Sequence, residues 1–166
     1  MTLSPRLRKL TLTTHVVTSV GWLGAVGAFL AVATAALVGD ATSDRDMYPA
    51  MQLVTNVVIV PLAFAALATG IVSSLGTSWG LLRHYWVATK LVVIVVATAV
   101  LLLQLRPLAA ATEAATSTPA RDVGTETASL VLHATGGLVI LLFTAVLGVY
   151  KPRGMTRYGL RRTARS

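Results

Sequence analysis

Residues 10–38 read LTLTTHVVTSVGWLGAVGAFLAVATAALV, a run without one charged side chain. As a helix it extends about 42 Å at about 1.5 Å per residue, whereas a bilayer core about 30 Å thick needs roughly 20 apolar residues. Three further blocks share this character. No charge falls between Asp46 and Arg83, Tyr85 to Leu105 carries only Lys90, and Thr127 to Tyr150 carries none. In lipid the backbone must satisfy its own hydrogen bonds, which leaves helices or a closed barrel. The blocks therefore predict an all-α, integral membrane four-helix bundle with spans at about 10–38, 49–75, 84–105 and 127–150, one membrane domain followed by a basic tail over 151–166.

Composition agrees. Of 166 residues, 55% are hydrophobic and 12% charged, and mean hydropathy is +0.74, outside the range of soluble domains. The net charge of +8 does not indicate nucleic acid, because a binder needs its basic side chains on one water-facing surface. Here they flank apolar blocks. The absence of cysteine removes disulfides, thiolate metal sites and cysteine nucleophiles. Arg6, Arg8 and Lys9 before the first block, with small residues at Ala31–Ala36, imitate a signal peptide, but the uncharged run is about twice an ordinary h-region of 7–15 residues. It reads as a span.

Lysine and arginine are retained on the cytoplasmic side of a membrane. Arg6, Arg8, Lys9, Arg83, Lys151, Arg153, Arg157, Arg161, Arg162 and Arg165 fall on one set of loops. Arg45, Arg106, Arg121 and all six acidic residues fall on the other. Both termini are expected in the cytoplasm, with the tail as a topology anchor rather than a lipid-binding cluster. Lys90 is the one charge that lies inside a span.

Depth decides which polar residues meet. His15 lies about 9 Å above Lys9, and Lys90 about 10 Å above Arg83, at about 1.5 Å per residue. They are expected to share a layer on the cytoplasmic side. Trp22 follows His15 at i+7 and Trp86 precedes Lys90 by four, so each shares a face with its base. An imidazole opposite an amine suits a metal centre, porphyrin carboxylates or proton transfer. His84 is expected at the water boundary. A secondary polar layer near the outer surface is expected from His133, Gln52, Asn56 and Gln104, as interhelical glue. Gly21, Gly24, Gly27, Ala66, Gly70, Gly136 and Gly137 read as small residues for close helix approach, and Pro61 as a bend that removes a backbone bond near Val57.

The first span reads His15-Val-Val-Thr-Ser-Val-Gly-Trp22-Leu-Gly24 and the third Trp86-Val-Ala-Thr-Lys90-Leu91. These H-x6-W and W-x3-K-L motifs resemble small bacterial four-helix membrane proteins related to the HemJ-type protoporphyrinogen oxidase and the CopD copper-resistance membrane domain. The resemblance implies a multi-pass protein of the bacterial plasma membrane, with haem b or a porphyrin as cofactor held by His15 and Lys90, His15 being an axial metal ligand, and with Trp22 and Trp86 as walls. HemJ-like proteins carry an arginine soon after the Trp/Gly motif, where this chain has no charge until Asp40. The resemblance thus extends to the binding layer rather than to the oxidase reaction. Its CopD side implies copper, for which the chain has no outward Met/His cluster.

The residues name no reaction. The expected function is haem or porphyrin binding, with redox activity as an extension. The alternative is a non-catalytic accessory subunit whose polar layers hold the helices together or dock a membrane protein partner or a second copy. A proton conduit through Lys90 ranks below both, since no acid shares the spans. The lipid bilayer is the one partner composition requires, and nucleic acid is excluded.

Overall fold

The computed structural model describes residues 4–39, 41–76, 81–117, 123–152, 154–156 and 160, the side chains of 41–44 apart. The expected loop residues Asp40, Arg121 and Asp122, the tail residues Arg153, Arg157, Arg161, Arg162 and Arg165, and residues 77–80 lie outside the described residues.

Among the described residues, six α-helices and one π turn build four rods. Helix α1 spans Pro5–Val38. It starts where the Ser4 hydroxyl accepts the Leu7 N–H at 3.4 Å, with Pro5 preset for the first turn. The second rod is α2, Ala41–Val54, then a π turn, Thr55–Ile59, then α3, Val60–Leu75. Pro61 cannot donate to the carbonyl of Val57, and the register widens just before it. The Val60 N–H reaches back five residues to the Thr55 carbonyl, so the expected bend takes the form of a π turn.

Helix α4, Tyr85–Leu103, passes through a turn at Gln104 into α5, Leu105–Thr116. Beyond the expected end of the third span at Leu105 the chain stays helical through Thr116. Leu108, Ala111 and Ala115, at helical spacing, bury one face of α5 against α2. Helix α6, Gly124–Tyr150, ends at Lys151 in the left-handed region, φ 45°, with its N–H on the Leu147 carbonyl at 3.1 Å.

All four rods are long and apolar enough to cross a membrane. Helix α1 packs on α3 and α6, and α4 closes the ring against both. Along the rods large apolar side chains such as Val17, Val92 and Val146 face outward. The tightest packing lies at the end of the bundle away from the termini. There Tyr48, Met51, Ala33, Val123 and Thr127 are fully buried. The Tyr48 hydroxyl lies 2.6 Å from Thr127 Oγ1, and Thr127 in turn donates to the Val123 carbonyl at 2.8 Å. Arg45 caps α5 by donating to the Thr116 and Ser117 carbonyls, each at 3.4 Å, a favourable place for a cation.

Candidate functional site

At the end that carries the termini, α1, α3, α4 and α6 splay around a cavity of about 500 Å³, within the usual range of small-molecule sites of about 300–1,000 Å³. His15 and Lys90 both line it, so the depth argument that placed them in one layer describes their positions. Trp86 lines it as well. Trp22 does not, and borders a second cavity farther along the bundle. Seven residues of helix return Trp22 to the His15 face but carry it about 10 Å along the axis.

His15 Nδ1 lies 3.1 Å from the Ala66 carbonyl and 3.2 Å from Thr69 Oγ1. A carbonyl only accepts, so Nδ1 carries the proton. Thr69 sends its own hydroxyl proton to the Ala65 carbonyl at 2.6 Å, which leaves its oxygen free to accept from the imidazole. The lone pair therefore resides on Nε2, which has no partner among the described residues. A ring N–H held by a backbone carbonyl is also how proteins orient a metal-binding histidine.

Two glycines make room for the two bases. A Cβ on Gly70 would lie 3.0 Å from His15 Cε1, and one on Gly148 would lie 3.3 Å from Lys90 Nζ. Gly70 thus serves the imidazole rather than a helix backbone, and Gly148 was not singled out in the sequence, because only the folded bundle brings it to Lys90. Gly21 does meet the packing expectation, since its Cβ would touch Leu62 at 3.3 Å. Gly24, Gly27, Gly136 and Gly137 do not: nothing lies within 4 Å of where their side chains would be.

Arg8, Lys9 and Lys151 add their charge to the cavity lining, and no acidic residue among those described does so. Lys90 makes no hydrogen bond or ion pair among the described residues. Ser73, also in the lining, has a buried hydroxyl with no partner there. The site presents one oriented imidazole and several cations to an apolar chamber, an arrangement for an anion with a large apolar body.

No protein-family model, curated protein or solved structure matches the chain.

The outer residues divide. Gln104 and His133 line the second cavity. Gln52 is half-buried outside it, and Asn56, on the π turn, is exposed. His133 bonds its own helix, Nδ1 donating to the Ser129 carbonyl at 2.7 Å, so it does not act as glue between helices. His84 lies at the terminal end of the bundle, paired as an isolated antiparallel bridge with Met155. Among the described residues no three His, Cys, Asp or Glu side chains converge as a metal site would require.

Proposed function

We propose that this chain crosses the bacterial plasma membrane four times with both termini in the cytoplasm, and that its inner cavity binds haem b or another porphyrin. The observation that carries the reading is His15, whose N–H is committed to Ala66 while Nε2 remains available in an apolar chamber whose charged lining residues are all cations. One histidine is too few for a bare metal ion, but a macrocycle brings four nitrogens of its own and needs from the protein an axial base and partners for its carboxylates. The residues fit those needs. His15 Nε2 would hold the bound group's metal. Lys90, with Arg8, Lys9 and Lys151 toward the water boundary, neutralises the carboxylates. Trp86 walls the ring, while Trp22 serves a different chamber. A bound haem would supply one-electron redox chemistry, and the chain's part is to orient and shield it.

The test is the absorption spectrum of the protein purified in mild detergent after expression with ample haem. A Soret band that His15→Ala weakens or shifts is expected. No band, and none after adding haem or protoporphyrin, overturns the reading; an unchanged spectrum in His15→Ala removes that residue's role.

A further inference from the structure

The second cavity, about 400 Å³, lies between α4 and α6 in the half of the bundle away from the termini, floored by α1 and the π turn. No charged side chain among those described lines it. Its rim includes Val96, Val100 and Leu132, all exposed on the outside of the bundle, so that in the membrane placement proposed above a ligand reaches it from the bilayer. Free polar capacity gathers at one end. The Gln104 amide makes no hydrogen bond among the described residues, and His133, with Nδ1 donating to Ser129, offers Nε2 as an acceptor.

One helical turn inward from His133 are Gly136 and Gly137. Each glycine inside a helix costs roughly 0.5–1 kcal/mol relative to alanine. Close helix approach does not account for them here, because nothing lies within 4 Å of either position. They leave a bare strip of backbone along the cavity, which Trp22 and Phe29 also line. A bare strip of backbone on α6, aromatic side chains on α1, and one donor with one acceptor at the polar end describe a slot for an uncharged planar head with an apolar tail.

We propose that this cavity binds an isoprenoid quinone or its quinol. The uncharged lining disfavours a phosphate or carboxylate head, since a charge buried without a partner is costly. Gln104 donates to a ring carbonyl, His133 Nε2 accepts from a ring hydroxyl, the ring lies over Gly136 and Gly137, and the tail leaves between α4 and α6.

The test uses the full chain in lipid nanodiscs, with decylubiquinone as probe and tryptophan fluorescence as readout. Saturable quenching is expected, lost in Trp22→Phe, with affinity at least tenfold weaker in Gly137→Leu and in Gln104→Leu. Gly137→Leu has open space to occupy, so its fold, checked by circular dichroism and gel filtration, should be intact. Farnesol, an isoprenoid without a ring, should compete at least tenfold more weakly than decylubiquinone. Linear quenching that persists in Trp22→Phe, full affinity in a folded Gly137→Leu, or equal competition by farnesol overturns the proposal. His15→Ala should retain quinone binding, so failure of the inner cavity as a porphyrin site leaves this result readable.

Discussion

Replacing Gly70 by alanine tests whether the imidazole is as tightly seated as its contacts indicate. The new Cβ would lie 3.0 Å from His15 Cε1, whereas carbon atoms rest about 3.5–4.0 Å apart. Restoring even the shorter of these moves the ring by about half an ångström. A displacement of that size stretches the Nδ1 bond to Ala66 from 3.1 Å to about 3.6 Å, where it ceases to be a hydrogen bond. Stranding a half-buried donor costs about 1–3 kcal/mol, against a helix-propensity gain of roughly 0.5–1 kcal/mol for alanine over glycine. The net expectation is a loss of about 1 kcal/mol. Gly136→Ala supplies the reference, because it brings the same propensity gain and meets nothing within 4 Å. It should stabilise by roughly 0.5–1 kcal/mol, so the two variants should differ by about 2 kcal/mol. Equilibrium unfolding in mixed micelles with increasing dodecyl sulfate, followed by far-ultraviolet circular dichroism, measures both. Equal stabilities within about 0.5 kcal/mol, the ordinary scatter of innocuous substitutions, would refute the seating of His15 described above.

Other expectations use the same preparation. Tyr48→Phe removes the hydroxyl bonded to Thr127 without opening a cavity, and should cost about 1 kcal/mol in the same unfolding titration. Thr156→Val removes the side-chain bonds to the Leu82 and Arg83 carbonyls. Amide exchange at Tyr85 and Thr156 should accelerate while the spans keep their protection, and unchanged rates there would show that these bonds are not formed. Because the chain has no cysteine, Ser4→Cys and Thr116→Cys each give a single label site. With a membrane-impermeant maleimide on intact spheroplasts, only Thr116→Cys should react, and the opposite pattern would invert the proposed orientation.

Hydropathy made the four long helices legible, and rise per residue made the meeting of His15 and Lys90 legible, because depth is conserved when neighbouring helices run nearly parallel. Azimuth is not given by depth. Asn56 and Gln104 were grouped by height, yet the π turn ahead of Pro61 leaves Asn56 exposed while Gln104 borders a cavity. Trp22 failed for the converse reason: a shared helix face says nothing about axial distance. Gly70 and Gly148 were silent in their roles because what they accommodate is a side chain from another helix. Helix α5 did carry a signal, the spacing of Leu108, Ala111 and Ala115, which the alanine- and threonine-rich composition around it obscured.

The short bridge at the terminal end has a consequence for biogenesis. The Tyr85 N–H bonds the Gly154 carbonyl at 3.4 Å, and the Thr156 N–H bonds the Arg83 carbonyl at 2.9 Å. The start of the helix that carries Lys90 is thereby fastened to residues 154–156, which are made only after the fourth long helix has been synthesised. Until then that helix lacks its fastening, and the inner chamber lacks both Gly148 and Lys151. The chamber's final shape therefore depends on completion of the chain, and a ligand that needs all its walls can be retained only by a protomer whose fourth helix has already arrived.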